Sequence, residues 1–294
     1  MIEPRAHQRV RLQCGAAVLE LAPWVGGSVA AFRWRDEDVF RPASAEALED
    51  VDPLRMASYP LIPFAGRITG GAFVFEGRPI ALPANLPGES DAIHGQAWRA
   101  PWRVAHIAPS QAELTYDHPA GEWPWRYRAS QVFTLRDDGL RQVLSVTNQS
   151  DRAMPAGLGA HPFFPRGHGV TLKAHVSGVI IDVSKPPAMI PTPWDWRRAP
   201  TIEAFVDNQF VGWNGEARVM WPERRACVTM TTSPPAPYLV VYAPEGEAFF
   251  CAEPVSHQLD AVNLSPGGAG HGMTILGPGQ TTSISIDYAL SAEV

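Results

Sequence analysis

Lysine is nearly missing from this 294-residue sequence: Lys173 and Lys185 stand against 22 arginines. A guanidinium forms no Schiff base at neutral pH, so covalent amine chemistry has two possible seats, neither in a promising neighbourhood. Cysteine is scarce as well. Cys14, Cys227 and Cys251 are far apart and form no CxxC, which argues against a disulfide framework and a thiolate zinc knuckle. Each is expected to be a small buried residue in a reducing compartment. No run of eighteen apolar residues suits a membrane span, and MIEPRAHQRVRLQC lacks the apolar centre of a secretory leader. The expectation is a cytoplasmic protein.

Other devices are absent too. There is no GxxxxGK[ST], GxSxG or HExxH. The nine histidines include no H-x-H and no i, i+4 pair, so spacing offers no support for a metal site. Gly267-Gly268-Ala269-Gly270-His271-Gly272 has a superficial likeness to a dinucleotide loop. Without a strand before it and a helix after it, we read it as a flexible glycine loop. A net charge of −6 disfavours a nucleic-acid partner, which requires a basic face.

Hydrophobic residues make up 45% of the chain and charged residues 18%, enough apolar material for a large globular core. The clearest pattern is period two. Tyr127, Ala129, Gln131, Phe133 and Leu135 share a face, Asp137-Asp138-Gly139 supplies a turn, and Leu140, Leu144 and Val146 resume the alternation. A second hairpin is expected over 72–82 around Glu76-Gly77, and Ile284, Ile286, Tyr288 and Leu290 alternate near the C-terminus. Twenty-nine prolines and 25 glycines, spread throughout, break helices and suit many short strands. One short helix is expected at 43–49, opened by Ser44. The stretches 186–200 and 265–280 read as long loops. The whole, residues 1–294, reads as one all-β domain, a sandwich with loops over one face.

Five polar residues stand in aromatic, proline-punctuated surroundings: Arg67, His94, His161, Asp207 and Glu253. Glu253 follows the apolar run Phe249-Phe250-Cys251-Ala252 and precedes Pro254, which is expected to end the strand. A carboxylate at such a core rim has the raised pKa of a general base. His161 is fixed by Pro162 and surrounded by rings. Each residue also has a plainer reading. The histidine is a bonded core residue, Glu253 a solvated strand end, Arg67 the partner of a carboxylate such as Glu76, Asp207 a turn or cap residue, and His94-Gly95 a turn.

Taken together and in order, the segments G-R-I at 66–68, H-G at 94–95, H-P-F-F at 161–164, D-x-x-F at 207–210 and E-P-x-S at 253–256 resemble the aldose 1-epimerase (galactose mutarotase) family. The resemblance implies a large antiparallel β-sandwich, the galactose mutarotase-like supersandwich, with a sugar cleft across one sheet. It implies catalysis by His161 as general acid and Glu253 as general base, with Arg67, His94 and Asp207 binding the sugar hydroxyls. His94 would also assist protonation of the ring oxygen. Many members carry Asn-Arg where this chain has Gly66-Arg67, so one side-chain contact is missing. No cofactor or metal is implied, and the partner is a small sugar.

The residue types suit the chemistry. Anomer exchange removes a proton from the C1 hydroxyl, delivers one to the ring oxygen, and reverses these roles after rotation about C1–C2. An acid and a base on opposite sides of the sugar are expected to suffice. Trp98, Trp213 and Phe163 are candidate stacking rings. Two rivals stay open: a hexose-6-phosphate 1-epimerase, with Arg197, Arg198, Arg224 and Arg225 as candidate phosphate ligands, and a non-catalytic carbohydrate-binding protein. The sequence leaves the preferred aldose open, and also the choice between monomer and homodimer.

Overall fold

Alternation in the sequence becomes a pair of large antiparallel sheets. The computed structural model describes residues 7–234, 236–265 and 270–292; the expected loop at Gly267–Ala269 lies outside these. The back sheet has eight strands, with Arg126–Arg136, Gly139–Asn148, Thr281–Ala292 and Ala226–Ser233 at its middle. Here the expected hairpin forms with Leu135 opposite Leu140 and Ala129 opposite Val146. Ile284, Ile286, Tyr288 and Leu290 are all buried on one face.

The second sheet has seven strands. Its middle is built from Val206–Val211, Tyr238–Ala243 and Phe249–Val255, followed by the two-residue strands Gly159–Ala160 and Pro60–Leu61. One core joins the sheets. It holds Phe133, Leu144 and Ile286 from the back sheet and Phe210, Leu239, Val241, Phe250 and Ala252 from the other. Residues Val10–Phe40 add a four-stranded sheet, whose Phe40 meets Phe164 and Tyr288 edge-on.

Local chemistry explains the small elements. Ser44 caps the helix Ala45–Glu49 by accepting from the Ala47 N–H at 3.2 Å. Glu76 and Gly77 both take positive φ, 49° and 74°, the conformation that closes a two-residue hairpin. The 186–200 stretch contains two 3₁₀ turns, Thr192–Trp194 and Trp196–Arg198. The 265–280 stretch is less of a loop than expected, because Thr274–Leu276 pairs with Met154–Ala156. Alternation is invisible in three residues. Among the described residues, no helix is long and apolar enough to cross a membrane.

Pro254 does not end its strand, which runs on to Val255. The reason lies next door. Phe163–Pro165 pairs with Phe249–Cys251, and Gly159 pairs with Val255, but His161 and Pro162 leave the ladder between them. Ser256 donates toward Leu158 on that same side, so Pro254, two residues earlier, turns its missing N–H toward the interruption. The break that accommodates Pro254 also turns His161 out of the sheet, beside Glu253.

Candidate active site

Residues two apart on a strand share a face, so Glu253 and Cys251 both project to the outer side of the seven-stranded sheet. Opposite them lie Val240 and Tyr242, and beyond Tyr242 lies Asp207. Partly buried Tyr238, Val240, Tyr242, Phe249 and Leu86 pack with Tyr59, Trp98 and Phe163 to form an apolar wall distinct from the main core. Loops 62–69 and 93–97 bring Arg67 and His94 over it. All five polar residues singled out in the sequence therefore meet on one face.

At the centre, His161 Nε2 stands 3.2 Å from Glu253 Oε1, with both side chains buried. Backbone bonds from the His161 N–H to Tyr59 O and from the Phe163 N–H to Ala57 O, each 3.0 Å, fix the segment. The imidazole stacks on Tyr59 and Phe163 at 4.6 and 4.7 Å. Its Nδ1 has no hydrogen-bond partner, so the rings hold the imidazole in place. Arg41 lies 4.1 Å over Phe163 and donates to the Met56 carbonyl, bracing the clasp from outside.

Burial decides the protonation of this pair. It pushes the Glu253 carboxyl well above its ordinary range; Asp207 adds to the rise and Arg67 opposes it. Burial also pushes His161 well below its ordinary value, with His94 and Arg41 contributing in the same direction. Both shifts act toward the neutral forms, a carboxylic acid beside an imidazole. His161 and Glu253, expected on opposite sides of a sugar, stand side by side at 3.2 Å.

His94 meets His161 edge-on, ring centroids 5.7 Å apart. Its Nδ1 accepts from the Gly66 N–H at 3.0 Å, so the neutral ring carries its proton on Nε2. Desolvation and then the Arg67 charge lower its pKa to about 3, which keeps it a neutral donor. His94 itself has φ 60°, so the plainer turn reading is also correct. Arg67 pairs with Glu89 at 3.2 Å, not with Glu76. Both groups of that pair are well exposed, and such pairs hold little energy, leaving the guanidinium free to trade partners. Asp207 lies within a strand rather than a turn. Its side chain reaches solvent, yet surrounding protein raises its pKa, with Arg67 opposing and Glu89 assisting.

Three proposed stacking rings are corrected. Trp98 is buried and donates to the Gly95 carbonyl at 3.0 Å. Trp213 is buried and donates to Glu216 O, and Phe163 is buried against His161. The half-buried aromatics are Tyr238, Tyr242 and Phe249, which sequence reasoning missed; the alternation in YLVVYA at 238–243 could have indicated them. It also missed the grouping of His161, Cys251 and Glu253, whose donor atoms lie within 4.8 Å of one another. Those residue types hold zinc in other settings. Burial pushes the Cys251 thiol well above its ordinary value. His257, absent from every motif, accepts from the Ala65 N–H at 2.9 Å beneath the loop that carries Arg67.

A buried acid–imidazole pair thus stands on the outer side of the seven-stranded sheet. The chain matches the aldose 1-epimerase family model over residues 8–289 and belongs to that family. It is 33% identical over 272 residues to the uncharacterised protein YphB of Escherichia coli K12, covering 88% of this chain and 90% of that one. A crystal structure from Escherichia coli K12, assigned provisionally as an aldose 1-epimerase, superposes with a TM-score of 0.89 at 29% identity, covering 97% of this chain and 99% of that one. A galactose mutarotase-like protein of Clostridium acetobutylicum shares the fold, with a TM-score of 0.86 at 18% identity and coverage of 97% and 96%.

Proposed function

We propose that this protein is an aldose 1-epimerase that interconverts the α and β anomers of a free aldose. The buried 3.2 Å contact between His161 Nε2 and Glu253 Oε1 carries this reading. Moving the shared proton from Glu253 to His161 creates a carboxylate base and an imidazolium acid together. The C1 hydroxyl and ring oxygen are bonded to the same carbon, so neighbouring groups serve both. Glu253 takes the hydroxyl proton, the bond from C1 to the ring oxygen breaks, and His161 protonates that oxygen. The open-chain aldehyde forms and the pair returns to its neutral state.

Rotation about C1–C2 then presents the other face of the aldehyde. Neutral His161 takes the proton from the attacking hydroxyl while protonated Glu253 gives one to the carbonyl oxygen. The cycle consumes no proton from solvent. In this reading His94 donates through Nε2–H near the ring oxygen, and Arg67 and Asp207 orient the hydroxyls. Acid–base groups of this kind typically contribute ~10²–10⁴-fold each.

The free-sugar reading is favoured over a phosphorylated one by the arginines. Arg197 and Arg198 lie on the turn Trp196–Arg198, which packs against Thr171–Ala174 at the edge of the back sheet. Arg224 and Arg225 follow Glu216–Trp221 of the back sheet, away from the five residues. Polarimetry of freshly dissolved α-glucose, galactose, xylose and arabinose tests the proposal. Faster approach to the unchanged equilibrium rotation is expected for at least one. No acceleration of these sugars, with binding retained, would leave the carbohydrate-binding reading; acceleration confined to phosphorylated hexoses would favour the rival enzyme.

A further inference from the structure

The loop carrying Arg67 is tied down by hydrogen bonds to two imidazoles. The Ala65 N–H donates to His257 Nε2 at 2.9 Å, and the next N–H, that of Gly66, donates to His94 Nδ1 at 3.0 Å. His94 returns a bond from its own N–H to Gly66 O at 2.9 Å. Because His257 Nε2 accepts, its Nδ1 carries the proton and donates to Gln258 O at 2.8 Å. The two histidines are thus opposite tautomers, fixed by consecutive residues of one turn. His257 is itself held: Gln209 Nε2 donates to its carbonyl at 3.0 Å, while Gln209 Oε1 accepts from the Leu259 N–H at 2.8 Å. A Cβ at Gly157 would overlap its ring, so backbone packs against the imidazole and leaves it no room to flip. The same segment reaches Arg67 by a second route, since the Asp260 N–H donates to Arg67 O at 3.2 Å.

From this geometry we infer that His257 is a positioning residue for the sugar site: as a buried acceptor it fixes the 65–67 turn, and through that turn the His94 tautomer and the place of Arg67. It is 3% exposed and lies on the strand's continuation beyond Glu253, so it acts through His94 and Arg67 and not by contact with substrate. One short stretch, 253–260, supplies both the proposed base and the anchor for the opposite wall of the cleft. The inference rests on reading His94 and Arg67 as sugar-holding groups.

Replacing the acceptor tests it. His257→Leu leaves the Ala65 N–H buried and unpaired. His257→Gln returns an amide oxygen that can accept. Small displacements of positioned groups cost up to ~10²-fold in rate, so kcat/KM for the sugar accelerated by the native protein is expected to fall ~10–100-fold in His257→Leu. KM is expected to rise and the pH profile to keep its limbs, because His161 and Glu253 are untouched. His257→Gln is expected to recover most of the loss. A purely structural role would lower the melting temperature with no selective effect on KM. A folded His257→Leu protein with native kcat/KM would overturn the inference. Should that variant not fold, ¹⁵N NMR of the native protein decides: protonated Nδ1 on His257 and protonated Nε2 on His94 are expected, and the reverse on His257 sinks the idea. The NMR result does not depend on turnover, so failure of the epimerase reading and failure of the positioning role are separable.

Discussion

The two large sheets share a core but differ in the paired polar groups that they bury. In the back sheet, Gln142 donates to Gln131 Oε1 and Gln131 donates to Gly27 O, both at 2.8 Å. Both amides are neutral and bonded, and the ladder around them is continuous from 126 to 148. In the seven-stranded sheet the ladder breaks at His161-Pro162, and the buried pair is an acid and an imidazole driven from their ordinary pKa values. One sheet carries a bonded pair of neutral amides at its middle. The other keeps titratable groups out of water, an arrangement that works against stability and sets up proton transfer.

The most severe way to break this contrast is Glu253→Gln. A loss of ~10²–10⁴-fold in kcat is expected, with sugar affinity nearly intact by calorimetry. Stability is expected to move the other way. The Glu253 pKa is raised on folding, so the native protein holds a proton that the unfolded chain releases as pH climbs above the ordinary carboxylate range. That group's stabilisation is full below this range and drains away as pH rises toward the raised value. Thermal melts should show the glutamine variant gaining on the native protein with increasing pH; a gap that shrinks instead would refute the burial argument. On the back sheet, Phe133→Ala removes a fully buried ring. It is expected to cost about 3–5 kcal/mol in denaturant titration while kcat per folded molecule is unchanged. The mildest probe is Gln131→Leu, which strands the Gln142 amide and the Gly27 carbonyl for roughly 1–3 kcal/mol. If it altered turnover, the back sheet would not be mere support.

The same contrast explains what could be read in advance. Period-two burial is strict where both neighbours are regular strands, so Tyr127 to Leu135 and Ile284 to Leu290 were legible. The seven-stranded sheet defeats this pattern in the strands around the pair. Its strands at 159–160 and 60–61 are two residues long, and in Phe249–Val255 six of seven residues are buried, which leaves no alternation to find. The five polar residues were legible only as an ordered set of motifs, because single residues of those types have structural uses as well. Their closeness, the adjacency of acid and base, and the role of His257 depend on contacts between segments up to 192 residues apart, which no local pattern records.

Gly66 shows how tightly such a wall is fitted. Its φ of 69° is left-handed, and a Cβ there would run into the Leu259 Cδ2 methyl. In this chain leucine fills the room beside position 66 from the other side. Positions 66 and 259 are therefore a thermodynamically coupled pair. An asparagine at 66 tolerates the backbone angle better than most residues, but it finds space only if the Leu259 side chain moves aside or is made smaller. Changed together, an asparagine at 66 and a smaller residue at 259 are expected to replace the apolar Leu259 side chain beside position 66 with a polar one.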